Sequence, residues 1–384
     1  MKSTKSPPAP SDTPCQHISR REALKLLGGS AAGLIVTAAS GPIARLPAAP
    51  VSTTPTFQTP ARVAIAHIPS YDLWMVRQQM QTLLDSLGGL KGVVGRGDRV
   101  AIKVNLTGGT KQKGLPGLPA IESYVTHPNV VRALAELLRD AGASGLYIVE
   151  GIFDERSFAD WGYEEAARAV GATLVDLNSP EPYTEFANLP VGQSWYVYRK
   201  FTLHHLLEEV DTFISVAKMK CHWWAGVTLT MKNLVGLAPV SAYNSSPDDV
   251  NRSSFHGDSN VTGLRLPRVI ADLNLARPID LALIDGIKTV EGGEGPWEDL
   301  TPVNAGVLVA GRNAVATDAV GMAVMGFDPT AEMPNPPFLR GLNHLNIARA
   351  LGLGTNRLDE IEVVGTQIDS VQRRFRPCTP TALF

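Results

Sequence analysis

The stretch "THPNVVRALAELLRDAGASGLYIVEG", residues 126–151, decides the fold. Its first part reads as a helix: Thr126 is the expected N-cap, Pro128 falls in the first turn and Gly142 is the expected C-cap. "LYIVEG" then reads as a strand. Upstream, "GDRVAIKVNL" is a buried strand entered from a Gly-Asp turn. Downstream, "FADWGYEEAARAVG" reads as a helix and "ATLVDL" as a strand. Short apolar strands alternating with helices predict an α/β fold, a mostly parallel or mixed sheet covered by helices, with a cleft at the C-terminal ends of the strands.

The rhythm extends in both directions. "RVAIAHI" is a first strand. The segment after it places Leu73, Val76, Met80, Leu83, Leu84 and Leu87 on one helical stripe. Residues 178–200 are irregular and end in "SWYVYRKF", read as an edge strand. "DTFISVAKMK", "PIDLALIDG" and "AGVLVAG" read as further strands, with helices at "LPRVIADLNLAR" and "NAVATDAVGMAVMG". "TLTMKNLVGLA" reads as a short helix. Residues 241–263 form a polar stretch long enough to be a binding loop. The expected organisation is a signal over residues 1–49, a linker over 50–60, an α/β domain over 61–370 and a tail over 371–384. The domain divides into two candidate lobes, about 61–177 and 201–370.

The compartment is read from the N-terminus. Arg20 and Arg21 precede a weakly apolar run, Leu26 to Ala39, followed by small residues. The run is shorter than the roughly 20 residues a membrane span needs. This is the pattern of a twin-arginine export signal, with the translocation machinery as partner and a periplasmic or secreted mature protein. Such export suits chains that fold, or load a cofactor, before crossing. Without residues 1–49 the chain keeps 29 basic and 35 acidic side chains, a net charge of −6. That balance argues against nucleic acid as a partner. Cys221 and Cys378 would remain, too few for a disulfide scaffold. No later apolar run is long enough for a permanent membrane span.

Motifs for nucleotide chemistry are absent. There is no GxGxxG turn between strand and helix and no Walker loop, so no dinucleotide is expected. HExxH, CxxC, the GxSxG elbow and the cysteine spacing of an iron–sulfur cluster are also missing.

The polar residues gather at strand ends. Lys103 and Asn105 lie two apart and share a face. In "AKMKCHWWAG", residues 217–226, Lys218, Lys220 and His222 share a face if the strand runs through 222. Two ammonium groups on one face repel unless an anion sits between them. Lys232 and Asn233 follow on the expected helix, whose N-terminus would also attract an anion. These six residues, Lys103, Asn105, Lys218, Lys220, Lys232 and Asn233, are the candidate substrate contacts. His222, and His256 on the long polar loop, are the candidate catalytic residues, because imidazole moves protons near neutral pH. Asp285, Glu291 and Asp318 are candidate ligands for a divalent metal; Asp318 alternatively caps a helix.

The order of these segments resembles a bacterial and archaeal family, the domain of unknown function 362. The resemblance rests on "KVNL", residues 126–151, "KMKCHWWAGVTLTMKNLVG", "LALIDGIKTVEGGEGP" and "AGRNAVATDAVGMAVMG", and covers about residues 62–365. It marks the ten candidates other than His256 as family-like positions and assigns them no roles. It implies relatives with twin-arginine signals and others fused to ferredoxin domains; this chain lacks the cysteines of the latter. Three function classes fit. The first is an exported enzyme acting on an anionic small molecule or glycan, by hydrolysis or isomerisation, with or without a divalent metal. The second is a periplasmic protein that binds an anion, metal or cofactor. The third is an accessory of an exported redox complex.

Overall fold

A computed structural model describes residues 60–111, 115 and 118–379. The expected export signal, and the linker up to residue 59, lie outside the described residues.

Eight strands form the central sheet: β1 (Ala61–His67), β2 (Arg99–Lys103), β3 (Gly145–Glu150), β4 (Thr173–Asp176), β7 (Thr212–Lys218), β10 (Leu281–Gly286), β13 (Val307–Gly311) and β14 (Ile361–Gly365). Short ribbons pair β5 (Ala187–Pro190) with β6 (Lys200–Leu203), β8 (Lys220–His222) with β9 (Gly226–Thr228), and β11 (Thr289–Glu291) with β12 (Thr301–Val303). The sheet order is β14–β1–β13–β10–β7–β2–β3–β4. β13 runs antiparallel to both neighbours and the other pairings are parallel. The sheet is therefore mixed, as the α/β rhythm predicts. It runs without a break through segments of both expected lobes.

Helices cover both faces. One face packs on α1 (Leu73–Ser86), α2 (Pro128–Asp140) and α3 (Tyr163–Val170). In α1, Val76, Met80, Leu83 and Leu84 from the predicted stripe are buried, and Asp72 caps the helix by accepting from Met75 N at 2.9 Å. The other face packs on α4 (Thr262–Ala276), α5 (Ala314–Val324) and α6 (His344–Ala350). Alternation along each strand feeds the two cores: Val100 and Ile102 enter the first, Ala101 the second.

Three local readings are corrected. The N-cap of α2 is His127, whose Nδ1 accepts from Asn129 N at 3.0 Å; Thr126 Oγ1 instead donates to Val216 O. The strand expected to run through residue 222 ends at Lys218: Met219 N makes the last bond of the β7–β10 ladder, to Asp285 O, and Lys220–His222 pair instead with β9 as a separate ribbon. The helix expected from Thr228 is β9 followed by a 3₁₀ turn over Lys232–Leu237, so no regular helix N-terminus faces the cleft. Residues 373–376 are also tied down: Arg373 N and Phe375 N donate to Val324 O and Met325 O, and Phe375 and Cys378 are buried.

Candidate functional site

A cavity of about 1250 Å³ opens where the chain leaves β2, β3 and β7. Asn105 and Gly109 reach it from the first exit, Phe153 and Asp154 from the second, Lys220 and His222 from the third. The long polar loop adds Arg252 and His256, and the glycine-rich loop after β11 adds Glu294 and Trp297.

Two lysine amines face this space. Lys220 Nζ donates to Tyr124 O at 2.8 Å and makes no ion pair among the described residues. Burial pushes its pKa down to about 7; Glu294 raises it less than burial, Lys232 and Lys218 lower it. Lys232 has no hydrogen-bond or ion-pair partner among the described residues. Burial lowers its pKa to about 8, with Glu294 opposing and Lys103 and Arg252 assisting.

Beside them, His222 Nε2 lies 2.5 Å from Glu294 Oε2. His222 Nδ1 accepts from Trp224 N and Ala225 N, both at 3.2 Å. Two backbone donors on Nδ1 put the ring proton on Nε2, facing the carboxylate. Burial depresses the imidazole to about 4, more strongly than Glu294 raises it. Glu294 is pushed up by burial, but His222, Lys232 and Lys220 outweigh this and hold it at about 2. Neutral imidazole beside carboxylate is therefore the resting state at pH 7. His256 Nδ1 lies 3.3 Å from Arg252 O, an atom that can only accept, which leaves His256 Nε2 unprotonated. Burial lowers its pKa as well.

A ladder of amides stands behind the wall. Asn233 Nδ2 donates to Lys103 O and Ser215 Oγ, fixing Asn233 Oδ1 toward Lys103 Nζ at 3.2 Å and Asn105 Nδ2 at 3.1 Å. Asn105 Oδ1 is consequently turned away, buried and without a hydrogen-bond partner among the described residues. Lys103 itself is fully buried, ion-paired with Glu150 at 2.8 Å, and absent from the cavity wall.

The eleven candidates thus part company. Asn105, Lys220, His222, Lys232 and His256 line the cavity. Lys103 and Asn233 support Asn105 from behind. Lys218 does not join them, which corrects the expected convergence. The register aligns Lys103 with Ser215, and Lys218 lies three residues further along β7, hence on the opposite face. There Lys218 Nζ meets Asp285 Oδ2 at 3.0 Å and Tyr71 OH at 2.7 Å. The three candidate metal carboxylates do not form one ligand set. Asp285 also accepts from Tyr71 OH and His127 N; Glu291 accepts from Arg376 N at 2.9 Å; Asp318 accepts from Thr230 and Met231. Burial raises Asp318 to about 7 despite those donors. Among the described residues no group of three or more His, Cys, Asp or Glu could hold a metal.

Sequence reading passed over Glu150, Arg252, Trp297 and Arg340. Glu150 ends a strand, the same signal that singled out Lys103. Arg252 and Arg340 carry no local signal.

A mixed α/β sheet with helices on both faces, and a lysine-lined cavity at its strand exits, defines the class of protein. The chain belongs to the family described as domain of unknown function (DUF362), which matches residues 100–323. It is 26% identical over 275 residues to a thylakoid-associated protein of Synechocystis sp., covering 70% of this chain and 75% of that one. Among solved structures it is similar to the lactate racemase apoprotein from Thermoanaerobacterium thermosaccharolyticum, with 13% identity and a TM-score of 0.38 over 70% of this chain. A Thermotoga maritima protein follows, with 10% identity and a TM-score of 0.31 over 62% of this chain. The chain spans 57% and 54% of the length of those two structures. Among the described residues no helix is long and apolar enough to cross a membrane.

Proposed function

We propose that this protein is an exported enzyme that moves a proton on an anionic small molecule or glycan held in the cavity. The observation that carries the reading is the pair Lys220 and Lys232: two amines lining the cavity, neither ion-paired among the described residues. An anion would add to Glu294, a carboxylate that acts on both amines without ion-pairing to either. Lys232 and Arg252 would bind it. Lys220, held near pH 7, and His256, with a free Nε2, are suited to general acid and base. His222 keeps its Nε2 proton on Glu294 and is braced there rather than acting as a free base.

No step is routed through a metal, since Asp285, Glu291 and Asp318 are each engaged by separate protein donors. Export rests on Arg20 and Arg21. Changing both to lysine and fractionating the cells tests it: mature protein should stop accumulating outside the cytoplasm.

The anion reading is tested by titrating citrate and inorganic phosphate calorimetrically into wild type and Lys232→Met. The variant should fold and bind at least one probe about tenfold more weakly, equivalent to roughly 1.4 kcal/mol. Equal affinity in the two proteins would remove the reading. Proton transfer is read separately, as deuterium incorporated from D2O into a bound ligand, which Lys220→Met should abolish.

A further inference from the structure

From three features of the same cavity we infer that its ligand is an acidic saccharide. This rests on the anion reading above and narrows it.

The first feature is the aromatic mouth. Trp297 and Phe153 line the cavity yet are 50% and 45% exposed. Trp297 is laid over Gly295, where any Cβ would collide with the indole ring. Deeper in, Trp223 is held flat by Arg340, whose Cζ stands 4.0 Å from the ring centroid. Flat rings fixed at a cavity wall stack on flat partners. The apolar C–H face of a sugar ring is one such partner, and an arene is the other.

The second feature decides between them. Asn105 Oδ1 is a buried acceptor with no partner among the described residues, and its orientation is imposed through Asn233 by the Lys103 carbonyl. Asp154 and Glu298 also line the space, with carboxylates that already accept from Thr110 Oγ1, Arg156 N and Glu294 N. An arene beside Asn105 would leave its Oδ1 without a donor, a cost of about 1–3 kcal/mol for a buried polar group left unpaired. Sugar hydroxyls donate to such acceptors while the ring face stays on the tryptophans.

The third feature is charge and size. Lys220 and Lys232 need an anionic group, so a neutral sugar is the wrong ligand. The cavity, at about 1250 Å³, exceeds the roughly 300–1,000 Å³ usual for small-molecule sites and accommodates more than one ring.

The test uses four probes on the full mature chain, followed by tryptophan fluorescence and calorimetry: trigalacturonate, a sulfated chondroitin disaccharide, neutral maltotriose and 2-naphthoate. Citrate serves as an anion without rings. At least one acidic saccharide should bind about tenfold or more tightly than maltotriose, naphthoate and citrate. Trp297→Ala should weaken that saccharide about three- to tenfold and leave citrate unchanged, because it removes stacking and no charge. Thermal unfolding of Trp297→Ala checks that the exposed ring was not holding the fold.

If naphthoate binds most tightly, or citrate matches both saccharides and Trp297→Ala changes nothing, the saccharide assignment is overturned and the anion site stands. Failure of both saccharides while citrate binds has the same meaning. If no anion binds, or Lys232→Met has no effect on any of them, the proposed function falls with it.

Discussion

Lys218 Nζ lies 3.0 Å from Asp285 Oδ2 across adjacent parallel strands, and neither side chain reaches solvent. Tyr71 OH joins both, donating to Asp285 Oδ1 at 2.8 Å and accepting from Lys218 at 2.7 Å. The pair lies on the sheet face opposite Lys103, away from the cavity wall. Its work is structural. Removing one member leaves the other charged and buried, so Lys218→Met should cost about 3–5 kcal/mol of stability. Removing both charges, as Lys218→Met with Asp285→Leu, should recover part of that loss. Denaturant unfolding of the three proteins checks it. A Lys218→Met protein as stable as wild type would show that the pair contributes nothing.

Lys220 behaves differently, because its depressed pKa belongs to a cavity wall. In the folded chain its amine titrates at about 7, and that of Lys232 at about 8. The unfolded amines titrate near 10.5. Between those values the unfolded chain holds protons that the folded chain has released, so this contribution to stability rises with pH. Below about pH 7 both states are protonated and the full penalty of burying charge is present. Anion affinity has the opposite sign, falling as the amines lose charge above about pH 7–8. Lys220→Met should flatten the stability slope between about pH 7 and 10 and weaken citrate binding at about pH 6.5. Urea unfolding and calorimetry across that range measure both. Identical slopes in mutant and wild type would sink the assignment.

His222 supplies a spectroscopic prediction. Its tautomer is dictated by Trp224 N and Ala225 N on Nδ1, with Glu294 on the other side. Glu294→Gln should therefore leave the proton on Nε2, visible in the ¹⁵N shifts of the ring, while removing the charge that helps hold the site together. The acid limb should change too. His222, at about 4 when folded, makes the protein less stable as pH falls from about 6.5, since the unfolded ring takes up its proton first. Glu294, at about 2, loses its own contribution as pH falls from the usual carboxylate range toward that value. A Glu294→Gln protein with the proton on Nδ1 would show that the carboxylate, not the backbone, selects the tautomer.

How much of this was legible beforehand follows from the range of each signal. Period-two alternation and helix stripes are local, and they gave the mixed sheet and its helical cover. The pairing of Lys103 with Asn105 was also local: residues two apart share a face, and both now bond Asn233 Oδ1. The relation of Lys103 to Lys218 was not. It depends on the register of β2 against β7, and one residue of register exchanges the faces. The break at Met219 was hidden for a related reason. The β7–β10 ladder closes with Met219 N on Asp285 O, an atom 66 positions away that no window along the chain includes. Glu291 and Glu294 sit in one glycine-rich loop, and only the folded path of that loop shows that Glu294 meets His222 while Glu291 meets Arg376. Arg252 enters from a loop whose course is set by its contacts with Ala238 O and Gly151 O.

The amide ladder gives the last prediction, because each of its orientations follows from the one before. The Lys103 carbonyl can only accept, so it takes Asn233 Nδ2. Asn233 Oδ1 must then face Lys103 Nζ and Asn105, and Asn105 must present Nδ2 to it. That leaves Asn105 Oδ1 a fixed, buried acceptor in a residue that lines the cavity. Asn105→Asp sets an oxygen against Asn233 Oδ1 and adds a negative charge to a residue of the cavity lining, where an anion is to bind. Its anion affinity should drop by about tenfold or more, roughly 1.4 kcal/mol, with citrate as probe. Asn233→Leu acts one step further back. It leaves Lys103 O and Ser215 Oγ without their donor and Asn105 Nδ2 without its acceptor, and buried polar groups left unpaired cost about 1–3 kcal/mol each. Its main effect should be a lower unfolding midpoint, with ligand affinity changing less than in Asn105→Asp once measurements are made on folded protein. Unfolding and calorimetry on both variants separate the two roles. If Asn105→Asp binds citrate as tightly as wild type, Asn105 is no part of the anion site, and the ladder only braces β2 against the turn that carries Lys232.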